Sequence, residues 1–277
     1  MSDLFFTRLD YVNASPSFVP NDYGKILYHN HTDSFDTAIF GNSTAIAAIR
    51  DERLPEGCGN LGIAYGKMTD FLQMLEKRYI HAEKEVIITA NYLSFLDPLE
   101  TNDTYPWLRQ SYTPYVFFNR KNTADYIKNV LKNFTQGNLS LKIDLPEYYF
   151  EKAVSKGHMS DDELKERMLS FDERFGHYTI DDFSENIEAL SKIYDYCEKN
   201  GLNMRFVWMP VNPKYNPRPE YIGRLQEQVN TFLDEKAIDY IDYTDSFGSE
   251  LFFDLGHISW EEGSFAFTEV FLKWLEN

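Results

Sequence analysis

The sequence has few cysteines and no long apolar run. Of its 277 residues only two are cysteines, Cys58 and Cys197, which lie far apart and lack the spacing of a metal site. Two free thiols are the default expectation for such a pair, and a disulfide between them stays open. No stretch approaches the roughly 18 consecutive apolar residues that a membrane helix needs. Residues 1–20 also lack the basic start and apolar run of a secretory signal. The chain as written is therefore expected to be soluble.

Basic residues are scarce as well. The chain carries 27 Lys and Arg against 44 Asp and Glu, which gives a formal net charge of −17. Because no cluster of basic residues stands out, a polyanion would be repelled over most of the surface. This balance argues against nucleic acid as a partner, and an anionic membrane surface is a poor partner too.

Apolar residues make up 43% of the chain and are spread along its whole length, which is enough for a sizeable core. Hydrophobic patterning and glycine punctuation predict strands and helices in alternation. The predicted strands are 35–40, 60–65, 86–90, 204–209 and 238–243, and the main predicted helices are 44–50, 68–83, 123–134, 180–200, 222–236 and 262–276. This alternation predicts a three-layer α/β fold, in which a mostly parallel sheet has helices on both faces.

The same pass along the sequence predicts one domain over residues 1–277. Residues 1–34 read as an irregular N-terminal segment, punctuated by prolines and a glycine. Residues 114–176 break the strand–helix alternation and read as a helical insertion or lid. That insertion could shape a substrate cleft, and a plain solvated elaboration is an equally good interpretation.

Polar residues follow several predicted strands, where open parallel sheets bind ligands. Ser43 lies between strand 35–40 and a helix, which favours stabilisation of an oxyanion near its N–H, although serine there is also a common helix N-cap. Asp254 and His257 lie three positions apart in a glycine-containing turn before the last helix. Asp254 could hold the imidazole in one tautomer while His257 takes a proton from a serine. Ser43, Asp254 and His257 are thus chemically sufficient for a catalytic triad.

These positions resemble the conserved blocks of the SGNH (GDSL-type) hydrolases. Residues 40–43 read Phe-Gly-Asn-Ser and resemble the first block, residues 60–66 resemble the second, Asn91 stands where the third supplies an asparagine, and residues 254–257 match the Asp-x-x-His of the fifth. The resemblance implies an SGNH hydrolase-like, flavodoxin-like fold. It also implies that Ser43 is the nucleophile, His257 the base and Asp254 its orienting carboxylate. The implied oxyanion donors are the N–H groups of Ser43 and Gly66 with the Asn91 side chain.

Within this superfamily the second half of the chain is most similar to the DltD-like and alginate O-acetylation-type branch. The similarity rests on residues 208–213, Trp-Met-Pro-Val-Asn-Pro, and on residues 253–260, Phe-Asp-Leu-Gly-His-Ile-Ser-Trp. It implies serine-dependent O-acyl transfer or O-deacylation on a cell-envelope polysaccharide or glycopolymer, through an acyl-serine intermediate. The implied partners are an acyl donor or acylated glycan and a membrane-bound acyl-transfer protein. The resemblance also implies an extracytoplasmic location in the cell envelope, if an N-terminal anchor was removed.

Two features depart from the superfamily pattern. Asn42 replaces the usual aspartate of the first block, and residues 89–92 read Thr-Ala-Asn-Tyr in place of Gly-x-Asn-Asp. A different class of function therefore stays open, namely a catalytically silent SGNH-like module that binds a glycan or an assembly partner. A plain α/β scaffold, in which Ser43 caps a helix and Asp254 and His257 only pair with each other, is the third alternative.

Aromatic and histidine residues supply the remaining candidates. Tyr105, Trp107 and Tyr112 could stack on sugar rings, and burial explains them equally well. A metal site could be built from His29, His31 and Asp33, but no further clear ligand is near them in sequence. Neither a metal nor a cofactor is expected.

Overall fold

The structure is a computed structural model that describes residues 2–9, 11–12, 21–113, 115–143, 145–152 and 154–276. Ten residues of the predicted N-terminal segment 1–34 lie outside the described residues, namely 1, 10 and 13–20. Within the predicted insertion 114–176, residues 114, 144 and 153 also lie outside them.

A five-stranded parallel sheet is the centre of the fold. Its strands are β1 (Ser34–Gly41), β2 (Cys58–Asn60), β3 (His81–Ala90), β4 (Asn203–Trp208) and β5 (Asp239–Asp242). They lie in the order β2-β1-β3-β4-β5, and every neighbouring pair is parallel. The predicted α/β class with a parallel sheet is confirmed. The strand order is that of the flavodoxin-like doubly wound folds.

Helices connect these strands and cover both faces of the sheet. The α-helices of the described residues are α1 (Ser2–Leu9), α2 (Asp22–Asn30), α3 (Ser43–Ala48), α4 (Met68–Glu76), α5 (Arg120–Thr135), α6 (Asp161–Phe175), α7 (Ser184–Asn200), α8 (Glu220–Glu235) and α9 (Gly263–Leu275). The connection from β1 leads to β2 on one side, whereas β2 leads back across β1 to β3. Because such crossovers are right-handed, α3 and α4 lie on opposite faces of the sheet. Helix α9 packs with α3, and α7 packs with α4.

In the three central strands, β1, β3 and β4, the carboxyl ends are more deeply buried than the amino ends. In β3 the last five residues, 86–90, are buried, whereas its first five are exposed or half-buried. On the face that α3 and α9 cover, Ile39, Ile87 and Val207 pack with Phe267 and Phe271. Strands buried on both faces are typical of parallel sheets. The best-packed part of the sheet therefore lies below the edge from which the strand-end loops emerge.

Two boundaries differ from the sequence prediction. Helix α4 ends at Glu76, because Arg78 adopts a positive φ of 58° that a helix cannot continue, and residues 81–83 of the predicted helix instead begin β3. Strand β2 ends at Asn60, although the N–H groups of Leu61 and Ile63 still donate to carbonyls of β1. The short strand leaves residues 61–66 as a loop at the carboxyl edge of the sheet.

Contacts divide the chain into two compact units. One consists of residues 1–31 and 102–152, and the other of residues 32–101 and 153–277, which contain the sheet. The predicted insertion 114–176 is thus divided, since α5 belongs to the first unit and α6 to the second. In the first unit, helix α2 occupies part of a segment expected to be irregular, and the Asn21 side chain caps it by accepting from the Gly24 N–H at 2.8 Å.

Two observations concern the membrane and the cysteines. Among the described residues, no helix combines the length and the apolar character that crossing a membrane requires. The thiols of Cys58 and Cys197 are free. Burial raises the pKa of the Cys197 thiol to about 12, so this cysteine is a small core residue of α7 and is protonated at neutral pH.

Candidate active site

Ser43 lies at the carboxyl edge of the sheet, directly beyond β1. It is the first residue of α3, and the helix N-cap is Asn42, whose side chain accepts from the Thr44 N–H. At Gly41 the backbone passes so close to Thr89 and Ala45 that a Cβ would overlap Thr89 Oγ1 and Ala45 Cβ. The tight turn before Ser43 therefore needs glycine at this position. As the first helical residue, Ser43 has an N–H with no carbonyl in a preceding turn to donate to. The capping role considered for Ser43 therefore belongs to Asn42.

His257 lies between Ser43 and Asp254. Its Nε2 is 2.8 Å from Ser43 Oγ, and its Nδ1 is 3.0 Å from each carboxylate oxygen of Asp254. With Nδ1–H donating to the carboxylate, Nε2 is the acceptor for the serine hydroxyl. The three side chains thus form the hydrogen-bonded series of a serine triad. The 2.8 Å contact with Ser43 excludes the scaffold alternative, in which His257 pairs with Asp254 alone.

The carboxylate of Asp254 is buried and held by several donors. Besides the imidazole, Asp254 Oδ1 accepts from the N–H of Gly256 at 2.9 Å and of His257 at 2.7 Å. Burial alone would raise the pKa of Asp254, but the hydrogen bond and charge of His257 and the two backbone donors lower it below its usual value. Asp254 therefore stays ionised and can stabilise an imidazolium at His257.

Asn212, after β4, supports the loop that carries the triad carboxylate. Its Nδ2 donates to the carbonyl of Asp254 at 3.0 Å, and its N–H donates to the carbonyl of Leu255 at 3.0 Å. The sequence motif at residues 208–213 contains this asparagine. Its contacts show that the loop after β4 positions the Asp254–His257 turn.

A network of side-chain amides joins the loops after β1 and β3. Asn42 Nδ2 donates to Asn91 Oδ1 at 2.9 Å and to Ser94 Oγ at 3.0 Å, while Asn42 Oδ1 accepts from the N–H and the hydroxyl of Thr44. Asn91 Oδ1 also accepts from the Leu93 N–H at 3.0 Å. Because two donors fix Oδ1 of Asn91, its Nδ2 is the atom left to donate into the cavity that Asn91 lines.

Gly66 does not occupy the place that the second block implies. Its N–H donates to the carbonyl of Ile63 at 3.0 Å, within the turn at the end of the loop. A Cβ there would meet Ile63, Phe71 and the carbonyl of Gly41, so the position is packed against the body of the fold. The assignment of Gly66 as an oxyanion donor is therefore wrong for this conformation, because its N–H already has an acceptor. From this loop it is Tyr65 that lines the cavity.

The triad faces a cavity of about 270 Å³. Ser43, Tyr65, Asn91 and His257 line it. Helix α6, which the sequence analysis assigned only to a general helical insertion, also contributes to the lining. Segment 155–159, just before α6, runs along the triad loop: the Met159 N–H donates to the Phe253 carbonyl at 2.9 Å. The contact holds the start of α6 against the loop that carries Asp254 and His257.

The predicted sugar-stacking residues lie in the first unit, and two of them are buried. Tyr105 and Trp107 are stacked with ring centroids 4.7 Å apart, and their exposed fractions are 0% and 2%. Their assignment as substrate-binding residues is therefore wrong, because neither ring has a face open to a sugar. Tyr112 is exposed and packs against Phe118. Among the described residues, no group of three or more His, Cys, Asp or Glu side chains could hold a metal ion.

Comparisons with known proteins give only distant likenesses. No protein family model and no curated protein sequence matches the chain. A candidate acylhydrolase from Bacteroides fragilis is similar in structure, at 12% identity and a TM-score of 0.46 over 88% of this chain and 86% of that one. A member of the lipolytic protein G-D-S-L family from Veillonella parvula is similar at 10% identity and a TM-score of 0.40, over 87% of this chain and 98% of that one.

Proposed function

We propose that this chain is an SGNH-type serine esterase whose nucleophile is Ser43. The observation that carries the proposal is the series Ser43–His257–Asp254, with 2.8 Å between Ser43 Oγ and His257 Nε2 and 3.0 Å between His257 Nδ1 and each Asp254 oxygen. A hydroxyl is a weak nucleophile until a neighbouring base takes its proton. His257 supplies that activation, because it is hydrogen-bonded to the serine hydroxyl and the buried Asp254 carboxylate fixes its tautomer.

The reaction begins when Ser43 Oγ attacks the carbonyl carbon of an ester while His257 Nε2 takes the hydroxyl proton. The tetrahedral oxyanion is stabilised by the N–H of Ser43 and by Asn91 Nδ2. His257 then protonates the leaving alkoxide, and the alcohol departs to leave an acyl-serine. Water, or an acceptor hydroxyl, next gives its proton to His257 and attacks the acyl carbon. Ser43 regains its proton as the acid or the new ester is released.

For the natural substrate we propose an O-acylated polysaccharide or glycopolymer of the cell envelope. The support is the resemblance of residues 208–213 and 253–260 to the envelope acyltransferase branch. This proposal includes transfer of the acyl group to a glycan hydroxyl, an extracytoplasmic place and a membrane-bound partner that supplies the acyl group. An acyl-serine serves hydrolysis and transfer alike, and the choice between them depends on whether water or a sugar hydroxyl reaches it first.

Labelling with a fluorophosphonate probe tests the nucleophile. We expect an adduct on Ser43, mapped by mass spectrometry, that disappears in Ser43→Ala. Ser170→Ala is the matched control, because Ser170 lines the same cavity but has no histidine partner among the described residues. A well-folded native chain that forms no adduct would refute the serine esterase and favour a silent glycan-binding module.

Transfer is tested by supplying an acyl-donor ester together with envelope-type oligosaccharides. Mass spectrometry should detect an acylated oligosaccharide with the native chain and none with Ser43→Ala. Release of free acid alone, at every oligosaccharide concentration, would identify a hydrolase and contradict the transfer step.

A further inference from the structure

One face of α6 is turned to the cavity that contains Ser43. Arg167, Ser170, Phe171 and Arg174 all line it. Their spacings of three, four and seven positions place them in one stripe along the helix. This stripe therefore presents two guanidinium groups and one aromatic ring to the space in which an ester substrate of Ser43 would lie.

The two guanidinium groups differ from several others in this chain because they have no carboxylate partner among the described residues. Several other arginines have one: Arg50 pairs with Glu52, Arg205 with Asp239, Arg218 with Asp245 and Arg224 with Glu220. Within the described part of the chain, Arg167 and Arg174 have no carboxylate at ion-pair distance. Acidic residues such as Glu166 and Glu173 are sequence neighbours of these arginines, but they form no ion pair with them, so both guanidinium groups remain available to a ligand.

Two aromatic rings lie near the guanidinium group of Arg174. Its guanidinium lies 4.9 Å from the ring centroid of Phe175 and 5.8 Å from that of Tyr65, which lines the same cavity. Cation–π contacts of this kind orient a guanidinium but leave its N–H groups free to donate. Asp254 is the one carboxylate among the cavity-lining residues, and its oxygens are engaged by His257 and backbone donors. Among the residues that line the cavity, no free carboxylate therefore competes for the arginines.

Two buried tyrosines add donors to the same cavity wall. Tyr92 and Tyr215 line the cavity with exposed fractions of 6% and 1%. Their hydroxyls interact electrostatically with each other and with the Asp172 carboxylate, but among the described residues neither has a partner at hydrogen-bond distance. Burial raises the pKa of both, so both hydroxyls are neutral donors at physiological pH. A buried hydroxyl without a partner is costly, and an acceptor oxygen from a ligand would remove that cost.

We propose that the α6 wall is a subsite for an anionic oxygen group, a carboxylate or a phosphate, carried by the substrate of Ser43. The proposal rests on the esterase function above and assigns it a class of substrate. A guanidinium group can form two parallel hydrogen bonds to the oxygens of either anion, and the lining carboxylate, Asp254, is already engaged by His257. The subsite is a recognition element that selects the ester presented to Ser43, since it lines the same cavity as Ser43.

Equilibrium binding to Ser43→Ala tests the subsite without depending on turnover. Four probes are titrated by calorimetry at low ionic strength: 3-acetoxypropanoate, monomethyl glutarate, 2-acetoxyethyl phosphate and the neutral propyl acetate. We expect at least one anionic probe to bind about fivefold to tenfold more tightly than propyl acetate, as two solvent-accessible charge contacts would give. The tighter of the carboxylated and phosphorylated probes identifies which anion the site takes.

Charge-removing substitutions in the same Ser43→Ala background locate the effect. Arg167→Gln and Arg174→Gln should each weaken binding of the anionic probe about twofold to fivefold, with a smaller effect on propyl acetate. Lys165→Gln is the matched control, because it removes one charge from the exposed part of α6 without touching the cavity lining. It should leave the preference unchanged.

Two results would overturn the subsite: equal affinity for all four probes, or an equal loss in Lys165→Gln and the arginine variants. Hydrolysis by the native chain is then measured with the same esters. If none is hydrolysed while the anionic preference persists in binding, the esterase function fails and the anion subsite stands. If propyl acetate is hydrolysed as well as the anionic esters and binds equally, the esterase stands and the subsite fails.

Discussion

Replacing Asn42 by the aspartate that the first block usually has should impair this protein. Asn42 is 3% exposed, and its Nδ2 donates to Asn91 Oδ1 at 2.9 Å. An ionised carboxylate in Asn42→Asp cannot donate, so it would place an oxygen against Asn91 Oδ1. The Asn91 amide can relieve that repulsion by turning over. It would then face the Leu93 N–H with its nitrogen and the cavity with its oxygen.

The expected loss follows from the oxyanion donor that this rotation removes. Loss of one such donor typically lowers kcat about 10²- to 10³-fold, or roughly 2.7–4 kcal/mol of transition-state stabilisation. We expect Asn42→Asp to lower kcat for 4-nitrophenyl acetate about 10²-fold with little change in KM. Removal of a group that acts only in the transition state lowers kcat and kcat/KM together.

Asn91→Ala and the double variant identify the route of the effect. If Asn42 acts through Asn91, Asn42→Asp in an Asn91→Ala background should lower kcat less than about threefold further, because the two changes remove one interaction. Ser94→Ala is the control, since it removes the other acceptor of Asn42 Nδ2 and leaves the bond to Asn91. Full activity of Asn42→Asp, or strictly multiplicative losses in the double variant, would refute the reasoning. Thermal unfolding of each variant separates a lost donor from a lost fold.

Further predictions concern the triad carboxylate and the turn before Ser43. Asp254→Asn should lower kcat about 10⁴-fold by favouring the wrong imidazole tautomer, measured as 4-nitrophenyl acetate turnover, and activity within tenfold of the native chain would contradict the assigned role. Because the pKa of Asp254 is lowered in the fold, its ionised form stabilises the native state above the usual carboxyl range and this contribution disappears as pH falls through the lowered pKa. Urea unfolding should therefore show the difference in stability between the native chain and Asp254→Asn shrinking from pH 7 to pH 3. Gly41→Ala should cost about 1–3 kcal/mol and lower Tm, because its Cβ would overlap Thr89 and Ala45. Gly223→Ala in α8, with nothing within 4 Å, should raise Tm, and equal changes would contradict the packing argument.

The residues at strand ends were the part of the site that the sequence could predict. Periodicity locates the end of a buried strand, and the carboxyl ends of parallel strands meet at one edge of the sheet. That reasoning predicted that Ser43, after β1, and Asn91, after β3, would come together with the Asp254–His257 turn. The structure does bring these residues together, with Asn42 joining the first two and His257 in contact with Ser43.

Periodicity and strand ends did not predict features of the site that depend on where one N–H group points or on contacts between distant parts of the chain. Whether the N–H of Gly66 points into the cavity depends on a turn that instead directs it to Ile63. Whether Tyr105 and Trp107 are exposed depends on which other residues cover them, and this cannot be read from the composition of the segment. The cavity wall formed by α6 depends on contacts such as Met159 with Phe253, which are almost a hundred residues apart. Local patterning specifies helix α6 but not what it faces.

The order of the strands explains why an asparagine at position 42 is useful. The chain leaves β1 towards β2 on one side and leaves β3 towards β4 on the other, so a crevice opens between the carboxyl ends of β1 and β3. Asn42 bridges this crevice: it caps α3 with its oxygen and orients Asn91 with its nitrogen. An aspartate could cap the helix equally well, but it has no proton with which to orient the amide across the crevice at neutral pH. Asn42 therefore links the cap of α3 to the orientation of the Asn91 amide, and Asn42→Asp is expected to break that link while it keeps the cap.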